Sequence, residues 1–207
     1  MQKLSKIALY LLLAIGLAGI LFVTAKSLIN PNGKQARNEQ NDKSSQPVLG
    51  QLVTLKPRPS RPSAIFLGQD GTEFILEQFE GKVVLLNIWA TWCEPCVKEM
   101  PSLDALQAQL GGENFVVVAI SEDRSAEEAL EFYEKNAIQN LTFYRDKDFG
   151  LVRELYVKDY PTGLPISVLY DRQGRELARL SGGFDWISEA AITRIEQAIS
   201  VGAGLAE

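Results

Sequence analysis

Hydrophobic and polar positions divide the chain into three stretches of different character. Ile7 to Val23 is 17 residues without a charge, interrupted only by Gly16 and Gly19. That length is at the lower limit for a helix that spans a bilayer and somewhat long for the core of a secretory signal. From Lys26 to Pro62 the chain is rich in Asn, Gln, Ser, Lys and Pro. So little apolar surface cannot offset the entropy of ordering, and a tether is expected that stiffens toward Pro57, Pro59 and Pro62. The less polar patch Val48 to Val53 is read as part of it.

From Ser63 onward the pattern changes to short apolar runs alternating with helical stripes. Ser63 to Leu67 and Thr72 to Ile75 flank an Asp70-Gly71 turn and predict a hairpin, followed by one helical turn over Leu76 to Phe79. Val83 to Trp89 is a continuous apolar strand of the kind buried on both faces. Met100, Leu103, Leu106 and Leu110 then recur at spacings of three and four, and Gly111-Gly112 ends that helix; Pro101 lies within it. Phe115 to Ile120 predicts a strand. Ser125-Ala126-Glu127-Glu128 is a capping box opening a helix through Asn136, with Ala129, Leu130, Phe132 and Tyr133 as its stripe. Leu141 to Tyr144 reads as a short strand, Phe149 to Tyr156 as a short helix, and Ile166 to Tyr170 with Glu176 to Leu180 as an antiparallel pair. A final helix is expected from about Trp186 to Ser200, with Ile187, Ala191, Ile195 and Ile199 in line.

The chemistry sits where the strand Val83 to Trp89 meets the next helix, because the protein's two cysteines, Cys93 and Cys96, lie at that junction. Two cysteines separated by two residues at a helix start can close a small disulfide. The first also gains from the unpaired amides and partial positive charge of the helix end, which favour its thiolate. Cys93 is therefore expected to be the exposed nucleophile and Cys96 the sheltered resolving thiol, with Pro95 fitting the first turn at no cost in hydrogen bonds. A structural zinc needs four ligands, and the chain has no histidine and no third cysteine. A purely structural disulfide over so short a loop adds little loop-closure stabilisation. A peroxidase pattern of Pro-x-x-x-Thr-x-x-Cys is absent, since Leu86 and Ala90 stand at its first two places. Thiol-disulfide exchange is the reading that remains favoured.

The segment Trp89-Ala90-Thr91-Trp92-Cys93-Glu94-Pro95-Cys96, followed by Lys98-Glu99-Met100-Pro101, resembles the active site of membrane-anchored thioredoxin-like proteins of the TlpA and ResA type. The similarity runs from roughly Ser63 to Ser200. Gly163-Leu164-Pro165 falls where that family carries its cis-proline loop. The resemblance implies a thioredoxin-like three-layer α/β sandwich with a mixed central sheet, an N-terminal hairpin and an inserted strand and helix. It further implies that Pro165 is cis, that the Leu164 backbone pairs with an extended client segment, and that Glu99 handles the proton of the buried thiol. Trp92, Glu94 and Pro95 join Leu164 and Pro165 as the expected client-binding residues. Glu94 is read as an exposed tuning charge, and Lys98 and Asp104 as surface residues. Two departures stand out: Ile166 replaces the threonine or serine common after the proline, and Asn87 stands where thioredoxin has a buried aspartate. An amide cannot act as a base, which leaves Glu99 as the candidate.

Charge refines where such a protein works. Residues 1 to 62 carry a net +7 and residues 63 to 207 a net −12, within the total of −5. An acidic globular part argues against nucleic acid, while a basic tether can lie against anionic head groups. The expected organisation is an uncleaved signal anchor over residues 1 to 25, a tether over 26 to 62 and a redox domain over 63 to 207, held in the periplasm; cleavage after Ala25 is the alternative. No metal or organic cofactor is implied. By resemblance, the partners are a membrane electron donor and clients with cysteine pairs. Copper-site proteins of haem-copper oxidase are favoured over apocytochrome c, and a redox-inert binding module or sensor is the reading from another class.

Overall fold

A computed structural model describes residues 53–156 and 163–203. The expected anchor, residues 1–25, and the tether up to residue 52 lie outside the described residues. Among the described residues no helix is long and apolar enough to cross a membrane.

The elements run β1 (Phe66–Gly68), β2 (Glu73–Phe74), a 3-10 turn (Leu76–Phe79), β3 (Val83–Trp89), α1 (Glu94–Leu110), β4 (Phe115–Ser121), α2 (Ala126–Lys135), β5 (Tyr144–Arg145), α3 (Gly150–Leu155), β6 (Ile166–Tyr170), β7 (Glu176–Ser181) and α4 (Glu189–Ala203). They form one seven-stranded sheet in the order β2-β1-β5-β4-β3-β6-β7. β3 pairs in parallel with β4 and antiparallel with β6, so the sheet is mixed. Every residue of β3 is buried, which accounts for a strand without polar alternation.

The two-residue period of β3 sorts its side chains between two cores. Val83, Leu85 and Trp89 pack with Met100, Leu103 and Leu106 of α1, Ala129 and Tyr133 of α2, and Ala191 and Ile195 of α4. Val84, Leu86 and Ile88 face Leu151 and Leu155 of α3 together with Phe66, Leu76 and Tyr144. Met100, Leu103 and Leu106 have no solvent exposure, and burying each is worth roughly 1.5–3 kcal/mol. Helix α1 stops at Gly111, where a Cβ would lie 2.4 Å from the Gln107 carbonyl oxygen.

Four expectations change here. Asp104 is buried, not at the surface: its carboxylate accepts the amides of Gln139, Asn140 and Leu141 at 3.1, 2.7 and 3.1 Å. Those bonds hold 139–141 as a loop, so the strand expected over Leu141 to Tyr144 is reduced to β5, Tyr144–Arg145. The last helix begins at Glu189 instead of Trp186, because the Trp186 amide is spent on Ser102 Oγ while Ser188 Oγ accepts from the Ala191 amide. Ile187 is consequently exposed, and the apolar stripe starts at Ala191. Finally, the end of the expected tether is not free of the domain. Val53 exchanges both backbone hydrogen bonds with Arg179 on β7, Ser60 bridges Arg175, and Arg58 reaches the Glu176 carbonyl and Asp171. An open sheet edge offers a row of unpaired donors and acceptors, and even a proline-containing segment can cover it.

The Asp104 capping site generates a stability prediction. Asp104→Ala leaves three loop amides without their acceptor and is expected to lower the unfolding free energy by about 2–4 kcal/mol, whereas Asp104→Asn, which keeps an acceptor, costs less. Urea unfolding of both variants at unchanged m-value checks the order.

Candidate active site

Between β3 and α1 the chain crosses through Ala90, Thr91 and Trp92, and this crossing is anchored from β4. Asp123 accepts the Thr91 amide on both oxygens at 3.1 Å and the Thr91 hydroxyl at 2.7 Å, and is itself held by Ser121 Oγ at 2.8 Å. The anchored crossing delivers Cys93 as the N-cap of α1, with Pro95 in the first turn. Cys93 and Cys96 are joined as a disulfide, and Cys93 Sγ accepts the Cys96 amide at 3.3 Å. A helix-end amide aimed at that sulfur favours negative charge on it once the bond is reduced.

The two cysteines differ in access, although less than expected: Cys93 is 7% exposed and Cys96 is 0%. Cys93 is more sheltered than an exposed nucleophile because its sulfur turns inward to the buried Cys96 and that residue's amide. Trp92, by contrast, is 67% exposed. Glu94 and Pro95 are exposed beside it, and Glu94 pairs with Lys98 at 2.7 Å, which holds its carboxyl below the usual range.

Pro165 enters from the neighbouring strand, and the Leu164–Pro165 peptide is cis. In the β3–β6 register Ile88 faces Ile166, so Pro165 lies one step further, level with Trp89 at the end of β3 from which Cys93 follows. Leu164 is half-buried and Pro165 buried. The Pro165 carbonyl is taken by the Gly182 amide at 2.9 Å, and the Gly163 carbonyl by Ser181 Oγ at 2.9 Å.

Glu99 lies one turn beyond Cys96 on α1, only 3% exposed. Its Oε1 accepts Asn87 Nδ2 at 2.7 Å; its Oε2 accepts the Phe184 amide at 2.8 Å and the Trp186 indole N–H at 3.2 Å. Burial pushes its pKa up to about 7, against the pull of the three donors. Glu99 is therefore not a solvated helix residue. Asn87, placed on this face by the period of β3, cannot titrate but orients the carboxylate, and it also donates to Ser167 Oγ at 3.0 Å. Glu122, just past β4, is a second acid raised, to about 8, by burial and by Asp146; Arg153 opposes the shift. No group of metal-ligating side chains occurs among the described residues.

Several residues around this site carry no local signal in the sequence. Asp123 reads as the end of a strand, and Trp186 as the start of a helix. Ser181-Gly182-Gly183 does announce a turn, but not that Gly183 packs on Pro95, where a Cβ would come within 3.0 Å of the Pro95 carbonyl oxygen. The site residues they hold, Thr91, Glu99 and Pro95, are more than 30 positions away in the chain.

Comparison with known proteins agrees with this geometry. The family model described as Redoxin matches residues 56–188. The chain is 28% identical over 125 residues to the thiol-disulfide oxidoreductase ResA of Bacillus thuringiensis subsp. konkukian, covering 58% of this chain and 67% of that protein. It is 37% identical over 97 residues to the thioredoxin-like protein YneN of Bacillus subtilis, covering 44% and 54%. Among solved structures, a thiol:disulfide interchange protein DsbE from Chlorobium tepidum is 30% identical with a TM-score of 0.60, covering 69% of this chain and 96% of that one.

The raised Glu99 pKa makes stability depend on pH. In the folded state Glu99 keeps its proton up to about 7, whereas unfolded it loses it near 4.5, so the native state binds more protons between these values and stability falls as pH rises through that window. Glu99→Gln removes this contribution, while that of Glu122 is common to both proteins and cancels. The unfolding free energy of the oxidised variant relative to wild type is expected to rise by about 3 kcal/mol from pH 4 to pH 8, read by urea unfolding at each pH.

Proposed function

The chain belongs to the redoxin family as a ResA- and TlpA-like thiol-disulfide oxidoreductase, and on that premise we propose that it is a membrane-tethered reductant that works outside the cytoplasm on clients with cysteine pairs. The observation that carries this reading is the asymmetry of the two cysteines: Cys93, 7% exposed, at a helix N-terminus, Cys96 fully buried, and a protonatable carboxylate one turn below. In the reduced protein the Cys93 thiolate attacks one sulfur of a client disulfide and expels the other as a thiolate. Cys96 gives its proton to Glu99, and its thiolate then displaces the client from Cys93. The client leaves with two electrons gained, and the Cys93–Cys96 disulfide is restored; a membrane donor must supply two electrons for the next cycle.

Client binding is assigned to the exposed Trp92, to Glu94 and Pro95, and to the Leu164–Pro165 loop, whose backbone pairs with an extended client segment. Residues 1–25 serve as the anchor and the following segment as the tether, supported by the uncharged run Ile7 to Val23 and by the net +7 of residues 1 to 62. Among clients we favour copper-site proteins of haem-copper oxidase. That choice is supported by the resemblance of Asn87 to Pro101 and of Gly163-Leu164-Pro165 to TlpA-type proteins, which is an argument by analogy.

Cys96→Ser is expected to accumulate a mixed disulfide with its client in membranes, and Cys93→Ser to trap nothing. The redox potential is expected nearer the roughly −270 mV of thioredoxin than the roughly −120 mV of a strong oxidant. A potential close to the latter overturns the reductant reading, and capture of apocytochrome c moves the assignment to haem attachment. Full retention of client binding without insulin reduction points to a redox-inert module.

A further inference from the structure

One loop meets Pro165, Pro95 and Glu99 together. Gly182, at φ +102°, donates its amide to the Pro165 carbonyl, Gly183 packs on Pro95, and Phe184 and Trp186 deliver both donors that end on Glu99 Oε2. The loop is well held: the Trp186 amide is bonded to Ser102 Oγ at 3.2 Å, and the rings of Phe184 and Trp186 meet edge-on with centroids 5.0 Å apart. Beyond them lies a mainly apolar cavity lined by Leu85, Leu169, Leu180 and Ile195, with Ser167 and Arg194 also on its wall.

Donors aimed at a buried carboxylate favour its ionised form, against a desolvation cost that favours the neutral acid. We propose that Trp186 is a positioning residue for the thiol chemistry: its indole N–H, with the Phe184 amide, pins Glu99 Oε2 and holds the carboxylate ready to accept the Cys96 proton. The inference rests on the reading of Glu99 as the proton carrier. It also assigns the oxygen that takes the proton. Oε2 already receives two donors and Oε1 only one, so the proton leaving Cys96 Sγ binds Oε1, and all three donor contacts survive the transfer.

The charged groups on the elements around Glu99 are otherwise engaged or exposed. On α1, Glu94 and Lys98 pair with each other at the surface, and Asp104 is bound to the 139–141 loop. On β7, Glu176 and Arg179 pair with each other. Asp185 in the loop and Glu189 on α4 are exposed; Arg194 on α4, also exposed, is the one cation among the described residues on the wall of the cavity that Phe184 and Trp186 line. β3 and β6 present only the neutral Asn87 and Ser167. Burial, opposed by the neutral donors, therefore sets the balance.

The test uses the reduced full-length chain in detergent with 15N-labelled tryptophan, whose three indole signals come from Trp89, Trp92 and Trp186. The Trp186 signal is expected to move with pH, and Glu99→Gln to abolish that movement. The wild-type titration needs no substitution at all, and Glu99→Gln leaves Trp186 itself unchanged. Trp186→Phe keeps a ring but removes the donor; it should raise the Glu99 midpoint, read from the carboxyl band in infrared difference spectra, by about one pH unit. The pH profile of Cys96 resolution should shift upward by the same amount. A Trp186 signal that ignores Glu99, or an unmoved Glu99 midpoint in Trp186→Phe, overturns the clamp. A shifted Glu99 midpoint with an unmoved Cys96 profile overturns the proton-carrier reading, and with it the role proposed for Trp186.

Discussion

A carboxylate taken out of water must be met by donors or give up its charge, and Glu99 is held near the balance of those two outcomes. Desolvation pushes it toward the neutral acid, and donors from β3 and from the β7–α4 loop pull it back. Meeting that requirement ties together elements that share little else. Asn87 is drawn into the contact from the centre of the sheet, Phe184 and Trp186 from beyond its far strand, and the loop that carries them also seats Pro165 and Pro95. The late start of α4 follows from the same contact, because Trp186 is committed to Glu99 and Ser102 before the helix can begin.

Other buried carboxylates repeat the device with different ends. Asp123 holds the crossing into Cys93 through Thr91, and Asp104 holds the 139–141 loop against α1. Each satisfies backbone amides that regular structure leaves unpaired. The redox centre thus stands on a helix start whose approach, floor and neighbouring loop are each fixed by an acid. In Glu99 burial raises the pKa to about 7, which brings protonation within reach near neutral pH.

Much of the fold was legible because it depends on short-range periodicity. A fully apolar run such as Val83 to Trp89 has one economical place, the middle of a sheet covered on both faces, and Met100, Leu103 and Leu106 could face nothing but that sheet. Ser125 marked the start of α2 because an N-cap acts on amides two or three residues away. Where elements were misread, a distant partner had taken the backbone. Asp104 unmade the first half of a strand, and the edge of β7 drew in residues from Val53 onward that read by composition as tether.

The same division applies to the site. By itself the sequence determined the place of the chemistry: two cysteines at a strand-to-helix junction and a glutamate one turn on, all set by spacing within a single helix. Only the tertiary structure decided what that glutamate is. Its burial, its proton affinity and its donors from Asn87, Phe184 and Trp186 depend on contacts that span 12 to 87 positions of the chain. The physical reason is that helix geometry is a local property of the backbone, whereas the electrostatic environment of a side chain is the sum of whatever the fold packs against it.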